Sequence, residues 1–320
     1  MEQFDELLKE LAQKEECVVP KGFDERMRDV LDSLPAKAKK AGLGAVKTAL
    51  IAAVACVLLV GTAFAASPTL RGMLAQALGG FAPYAQEQEG EPYVIDGIEF
   101  RIKSVLADDF TVRAYVEARD LEGGRFGEMM SAFGFVDIPK KDTGEGFAAS
   151  TFRASVLDYD AETETALLAV SSWGQVAADD LTGAEVRIFS LENRETGVEL
   201  LDGGENFCAP VEVKPIPSLS MGPDAKLASG LCAEEVRLSK LGLSAIFRYD
   251  ADWGGFAGKN VQAKLADGSL VDAPWEGGQG DFGAESVEGS RKVLVWNFTE
   301  PVDVESIEGI YVGEDYFPVR

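Results

Sequence analysis

The residue types that carry most enzyme and metal chemistry are missing or sparse in this 320-residue chain. The sequence contains no histidine, which excludes Ser-His-Asp and Cys-His nucleophilic sites and every zinc or haem site that needs an imidazole ligand. Carboxylates are the plentiful titratable groups, with 54 Asp and Glu against 30 Lys and Arg. A formal net charge of -24 argues against a phosphate-binding surface for nucleic acid. We therefore expect a protein that is not an enzyme, has no cofactor and binds no nucleic acid.

Two groups of carboxylates have the residue types for a calcium site or for sugar hydrolysis. The first consists of Asp158, Asp160, Glu162 and Glu164, and the second of Asp250 and Asp252. Neither group fits the twelve-residue calcium loop, which has a glycine at its sixth position and a glutamate at its last. A glycosidase needs two carboxylates at a defined separation in space, which spacing along the chain does not establish. We interpret both groups as solvated turn residues, and the sequence predicts no metal site.

Tryptophans are the remaining candidates for a binding face. Trp253, Trp275 and Trp296 could line a sugar-binding or peptide-binding surface, or fill the core of a β domain. Trp296 lies in the apolar run of residues 293–298, which favours a place in the core.

An uncharged segment, residues 48–66 (TALIAAVACVLLVGTAFAA), predicts one transmembrane helix. Nineteen residues at about 1.5 Å each nearly span a hydrocarbon core of about 30 Å. A buried helix of a soluble protein is one alternative, but such a helix rarely lacks a polar stripe. A cleavable signal peptide is the other, because Ala63-Phe64-Ala65 has the small-x-small pattern that signal peptidases accept. The 47-residue extension before the segment is far longer than an ordinary signal-peptide n-region and favours a retained anchor.

The charges around this segment predict its orientation. Four lysines precede it: Lys37, Lys39, Lys40 and Lys47. Arg71 alone is basic soon after it, and the chain then becomes acidic from Glu87. The positive-inside rule therefore places the N-terminus in the cytoplasm and the C-terminal bulk outside the cell. We expect a single-pass protein of the cell membrane.

The cytoplasmic residues predict two short amphipathic helices whose apolar stripes need a partner. The first stripe consists of Phe4, Leu7, Leu8 and Leu11, and the second of Phe23, Met27, Val30, Leu31 and Leu34. A tail of about 35 residues is too short to enclose a stable core of its own. Its ten acidic residues against five basic ones would be repelled by an anionic membrane surface, which favours a protein groove. Pairing of the two helices with each other stays open.

The tail and its context resemble a known family. Residues 18–35 (VVPKGFDERMRDVLDSLP) are followed by a lysine cluster, one membrane helix that ends in AFAASP, and an acidic β-rich part. This layout resembles single-pass proteins of Gram-positive bacteria that have an outer domain of unknown function and are described as anti-sigma factors. The resemblance implies that the tail binds a cytoplasmic sigma factor. It also implies that the outer part senses or binds an extracellular ligand or protein.

The residues after the membrane segment change to the alternating periodicity of β-strands. Ile98, Phe100 and Ile102 alternate with polar residues, as do several later segments. Further strands are predicted at residues 112–116, 152–157, 165–171, 186–188, 211–214, 235–238, 243–249, 261–265, 293–298 and 307–312. The fold class is therefore mainly β, with two tandem antiparallel Ig-like β-sandwich domains outside the membrane. Residues 266–269 carry Asp-Gly and predict a hairpin turn.

These patterns give the predicted domain organisation. It comprises a cytoplasmic helical tail (1–35), a basic juxtamembrane linker (36–47), the transmembrane helix (48–66), a juxtamembrane helix and stalk (67–92), a first β-sandwich (93–214), a linker (215–223) and a second β-sandwich (224–320).

Cysteine locations predict one disulfide at most. Cys17 falls in the reducing cytoplasm and Cys56 in the membrane, so Cys208 and Cys232 are the pair in an oxidising location. A bridge between them would close a loop of roughly 25 residues and contribute on the order of 3 kcal/mol. Spacing alone leaves open whether the two thiols meet.

The leading functional expectation is a membrane-anchored regulator that resembles an anti-sigma factor. The alternative is a membrane-anchored extracellular adhesion or ligand-binding protein with no role in transcription.

Overall fold

The computed structural model describes most of the chain after the predicted membrane segment. The described residues are 68–88, 90–138, 151–173, 181, 183–221, 225–226, 232–248, 261–280 and 291–319. The predicted tail helices, basic linker and transmembrane helix lie outside them. Within the described residues, no helix is both long enough and apolar enough to span a membrane.

This part of the chain is mainly β, with four antiparallel sheets and one short α-helix, α1 (Pro68–Leu78). The strands are β1 (Gln86–Glu87), β2 (Tyr93–Ile95), β3 (Ile98–Ala107), β4 (Thr111–Asp120), β5 (Met130–Asp137), β6 (Thr151–Asp160), β7 (Thr165–Trp173), β8 (Glu185–Asn193), β9 (Val198–Pro210), β10 (Leu219–Met221), β11 (Ala225–Lys226), β12 (Cys232–Leu238), β13 (Gly242–Arg248), β14 (Val261–Leu265), β15 (Leu270–Ala273), β16 (Trp275–Gly280), β17 (Arg291–Asn297), β18 (Ile307–Val312) and β19 (Asp315–Pro318). Short 3-10 helices cover Gly79–Tyr84 and Val304–Ser306.

The first two sheets share one apolar core. Sheet A has the order β1-β3-β4-β7-β6, with β2 also paired to β3, and sheet B has the order β5-β8-β9. Alternate residues of their facing sides, such as Val116 of sheet A and Ile188 of sheet B, are fully buried in this core. Phe100 and Phe207 stack across it with ring centroids 5.0 Å apart. The period-2 apolar pattern of the strands explains this packing.

The outer face of sheet A is covered by α1. Leu70, Met73, Leu74 and Leu78 of α1 are buried against Leu106, Tyr115, Leu167 and Ala169 of the sheet. Strands β4 and β7 are therefore buried on both faces. This explains why β7 reads as a nearly continuous apolar run instead of the alternation of a half-buried strand.

The last two sheets form a second pair. Sheet C has the order β10-β12-β13-β17-β16, with β11 on β12, and sheet D has the order β15-β14-β18-β19. Their shared core contains Trp296 and Ile307, both fully buried. Asp267 and Gly268 form the β14–β15 hairpin turn, with Gly268 at φ 86°, so the predicted turn is confirmed.

A set of buried contacts joins the two sheet pairs. Phe110 and Trp173 of the first pair pack against Val293 and Val295 of the second. The Ile216 N–H donates to the carbonyl of Ala107 at 2.8 Å. The chain between the sheet pairs is thus fixed to the first pair.

Two predicted segments differ in the structure. The segment predicted as a stalk, residues 83–92, contains β1, which pairs with β3 in sheet A, and the side chain of Gln86 donates to the Lys214 carbonyl at 2.7 Å. Residues 211–214, predicted as a strand, run beside this segment without joining a sheet. The side chains of Gln86 and Gln88 supply to the backbone of Glu212 and Lys214 the hydrogen bonds that a neighbouring strand would otherwise provide. The predicted helix after the membrane segment is confirmed as α1.

Candidate functional site

The candidate site is a cleft of about 540 Å³ on the outer face of sheet A. α1 lines it through Met73, Gln76 and Ala77, and β16 contributes Glu276. The floor is formed by β4, β7 and β6. A volume of this size lies within the range of small-molecule sites in proteins, about 300–1,000 Å³.

The register of three adjacent strands builds the floor. Ser171 of β7 is directly opposite Arg113 of β4 on one side and Arg153 of β6 on the other. Directly opposed residues lie on the same face of a sheet. The three residues therefore form one polar row, which we call the arginine row. The α-carbons of its two arginines are about 10 Å apart, since neighbouring strands are about 4.8 Å apart.

The next row is less polar and partly covered by the helix. It consists of Tyr115, Ala169 and Ser155, again one residue from each of β4, β7 and β6. Tyr115 is buried, and burial raises the pKa of its hydroxyl, although the neighbouring Arg113 guanidinium acts to lower it. Tyr115 therefore stays a neutral phenol at physiological pH.

Arg113 is held at both ends of its guanidinium. Its Nε donates to Ser171 Oγ at 3.2 Å, and its Nη2 lies 3.4 Å from Glu276 Oε1. About a quarter of the Arg113 side chain is exposed. The pair with Glu276 also connects sheet A to sheet C.

Arg153 differs from Arg113 in exposure and in partners. Its side chain is exposed, and within the described residues it forms no ion pair. Asp158, the other carboxylate of the cleft, accepts from the Tyr159 N–H at 2.9 Å in its own strand. The cleft thus carries two cations and two anions, a balanced charge in a chain with a net charge of -24.

A second polar cluster lies at the junction of the sheet pairs. Asp108 has no exposure to solvent, and its Oδ1 accepts from the N–H groups of Phe110 at 3.0 Å and Thr111 at 2.7 Å. Ser239, in the turn between β12 and β13, donates to its Oδ2. Burial raises the pKa of Asp108 to about 7, against the opposing effect of these hydrogen bonds.

Most of the site residues predicted from the sequence lie outside the described residues or outside the cleft. The predicted partner-binding residues Phe4, Leu7, Leu8, Leu11, Phe23, Met27, Val30, Leu31 and Leu34 lie outside the described residues, as do Trp253, Asp250 and Asp252. Trp296 is a core residue, as predicted. Trp275 is exposed on β16.

Glu162 and Glu164 of the first carboxylate group lie in the turn after β6, in agreement with the sequence interpretation, whereas Asp158 lies within β6 and Asp160 ends it. Asp160 accepts from the Glu162 N–H at 3.0 Å and from the Thr163 hydroxyl at 2.7 Å. In the part of the chain that the structure describes, no group of three or more Cys, Asp or Glu side chains is placed to hold a metal ion.

The cysteines lie in different sheets. Cys208, on β9 of sheet B, is exposed, and its Sγ donates to Glu185 Oε2 at 3.2 Å. Cys232 is on β12 of sheet C, and its side chain lies outside the described residues. Their bridge stays a prediction.

The arginine row was not predicted from the sequence. Arg113 and Arg153 are far apart in the chain and lie in segments predicted only as half-buried strands. The one local signal was a basic residue in each of two strands of a strongly acidic chain.

Comparisons with known proteins identify no family. No protein-family description matches the chain, and no curated protein matches it significantly. The crystal structure of a conserved domain protein from Bacillus anthracis is similar, with a TM-score of 0.49 and 14% sequence identity over 71% of this chain and 76% of that one. A likeness of this extent carries no function with it.

Proposed function

We propose that this protein is a membrane-anchored regulator that resembles an anti-sigma factor. In this proposal residues 48–66 cross the membrane and the tail before them binds a cytoplasmic sigma factor. The β-rich part lies outside the cell and receives a ligand or protein signal. The observation that carries the proposal is the position of α1. This helix begins at Pro68, directly after the predicted membrane segment, and forms one wall of the cleft.

The packing of α1 supports a role in passing a signal to the membrane segment. Its buried side chains, Leu70, Met73, Leu74 and Leu78, hold it on sheet A, and burial of each contributes on the order of 2 kcal/mol. An occupant of the cleft would contact Met73, Gln76 and Ala77. A small displacement of α1 would then reach the membrane segment without any unfolding, because packed elements move as units.

We also propose that each sheet pair is an Ig-like β-sandwich. The support is that sheets A and B share one apolar core and sheets C and D share another, with antiparallel pairing in all four. The second sandwich then begins at β10, inside the predicted linker.

Co-purification tests the tail. Full-length protein with an N-terminal tag is expected to retain a sigma factor, identified by mass spectrometry. Leu31→Asp is expected to abolish this binding, because it places a charge in the apolar stripe. Ser33→Asp adds the same charge outside the stripe and is expected to keep the partner. Retention of the sigma factor by Leu31→Asp would contradict the proposal.

Protease treatment of intact cells tests the topology. The β-rich part is expected to be degraded while the N-terminal tag stays protected. Protection of the whole chain would exclude the proposed orientation.

The alternative is a membrane-anchored extracellular adhesion or ligand-binding protein. The cleft favours it, because binding there requires no cytoplasmic partner. Deletion of residues 1–34 distinguishes the two: unchanged transcription favours the ligand-binding protein, and altered transcription favours the regulator.

A further inference from the structure

The arginine row is an unusual feature of this chain. The protein carries 24 more acidic than basic residues, and its average field repels anions. Even so, β4 and β6 place Arg113 and Arg153 on one face of sheet A, on either side of Ser171. Two like charges in one row repel each other, so this arrangement is favoured when an anion lies between them.

The structure already contains a carboxylate on this row. Glu276 Oε1 lies 3.4 Å from the Arg113 guanidinium. Glu276 belongs to sheet C, so this carboxylate reaches the row from the other sheet pair. The contact indicates which functional group suits the row, since a guanidinium presents its donors in a plane that matches a carboxylate.

The second arginine, Arg153, differs from Arg113 in its partners. Arg153 forms no ion pair within the described part of the chain, although it lines the same cleft. Ser171 accepts from Arg113 Nε and thereby fixes the guanidinium plane. Ser155 adds a hydroxyl from the neighbouring row.

We propose that the cleft binds a small polar ligand through a carboxylate group, which Arg153 and Arg113 hold above Ser171. Glu276 occupies the Arg113 side of this site when the ligand is absent. The proposal rests on the proposed function of the β-rich part as a ligand-binding module, and it names the chemistry of that ligand.

Competition between the ligand and Glu276 for Arg113 would also change the contact between the two sheet pairs. A ligand carboxylate that takes over Arg113 releases Glu276, and with it one contact between the sheet pairs. The same ligand contacts α1 at Met73, Gln76 and Ala77. Binding would therefore change contacts both at the junction of the sheet pairs and at α1, the helix next to the predicted membrane segment.

Saturation-transfer NMR with glutarate tests the proposal. The full-length protein is purified in detergent and titrated with sodium glutarate, a small dicarboxylate. Glutaramide, which has the same carbon skeleton without charge, serves as the ligand control. Glutarate is expected to bind and glutaramide is not.

Three variants locate the binding. Arg153→Gln is expected to weaken glutarate binding about tenfold, because it removes charge-assisted hydrogen bonds. Arg194→Gln makes the same change on an exposed arginine next to β8, outside the cleft, and is expected to bind as the wild type does. Glu276→Gln removes the internal competitor and is expected to bind several-fold more tightly.

Several outcomes would contradict the proposed carboxylate site. Absence of glutarate binding, equal binding by Arg153→Gln, or weaker binding by Glu276→Gln would overturn it. Inorganic phosphate has no carbon-bound protons, so its binding is measured as displacement of glutarate, and displacement by phosphate at a concentration equal to that of glutarate would overturn the carboxylate assignment. The measurement does not depend on membrane orientation or on a sigma factor. The protease and co-purification experiments can therefore fail while glutarate still binds. They can also succeed while glutarate does not bind.

Discussion

Asp108 shows how a single side chain can make the junction of the sheet pairs sensitive to pH. It has no exposure to solvent, and burial raises its pKa to about 7. In the unfolded chain an aspartate titrates near pH 3.9. Between these values the folded protein keeps a proton at Asp108 that the unfolded chain has released. This group therefore adds stability at low pH, and that contribution is lost as the pH rises from about 4 to 7.

Asp108→Asn is expected to remove this pH dependence. Asparagine imitates the protonated acid, because its Oδ1 can accept from the Phe110 and Thr111 N–H groups and its amide can donate to Ser239. Relative to the wild type, the variant should be more stable at pH 7.5 than at pH 4.5, by about 1.4 kcal/mol per pH unit at most. Urea unfolding at both pH values measures the difference. An equal difference at both values would contradict the assignment.

Single residues also show how far the sequence predicted the site. Trp296 was predicted as a core residue because its own neighbours in the chain are apolar, and it is buried. The arginine row was not predictable in this way. Arg113 and Arg153 meet Ser171 only through the registers of two strand pairs, and a shift of one residue in either would turn an arginine to the opposite face.

Among the elements, α1 explains why strands of sheet A are buried on both faces. The alternation of β3 and β4 predicted half-buried strands, and the side of β4 that faces sheet B follows this pattern. The other side is buried as well, because α1 covers it. The sequence predicted both the helix and the strands, but it contains no information on which face of which sheet the helix covers.

Leu74→Ala is expected to destabilise the protein by about 3 kcal/mol, because it leaves a cavity between α1 and sheet A. Leu74 is 2% exposed. The matched control is Leu270→Ala on β15, where the side chain is 51% exposed, and its cost should stay below about 0.5 kcal/mol. Chemical denaturation measures both. Equal losses in the two variants would show that α1 is not packed as described.

Replacing either of two glycines by alanine is expected to change the stability of the protein, with opposite signs at the two positions. A Cβ at Gly242, on β13, would lie 2.2 Å from the carbonyl oxygen of Trp296 on the neighbouring strand. Gly242→Ala is therefore expected to cost more than about 1 kcal/mol, through strain in the sheet. A Cβ at Gly72, inside α1, has no neighbour within 4 Å, so Gly72→Ala should stabilise the protein by roughly 0.5–1 kcal/mol. Thermal denaturation of the two variants checks the signs. The same sign in both would contradict the backbone geometry.

At the scale of the whole molecule, the mainly β fold with antiparallel sheets was predicted from the sequence, but the junction of the two sheet pairs was not. Strand periodicity predicted β segments on either side of residues 215–223. The junction depends on a few scattered contacts, such as Phe110 with Val295 and Asp108 with Ser239. Asp108, Phe110 and Ser239 come from turns, where no periodic pattern marks them.

The contacts at this junction also determine how cooperatively the β-rich part is expected to unfold. Phe110 is 1% exposed and packs with Trp173, Val293 and Val295, so the two sheet pairs are expected to unfold in one cooperative transition. Phe110→Ala removes one of the two aromatic side chains of this contact, at a cost of about 3–5 kcal/mol. We expect calorimetry of the full-length protein to resolve two transitions in this variant, because each sheet pair has a core of its own. Phe133→Ala, at a half-exposed site on β5, is the control and should keep the single transition. One undivided transition in Phe110→Ala would show that the sheet pairs are coupled by contacts other than this apolar cluster.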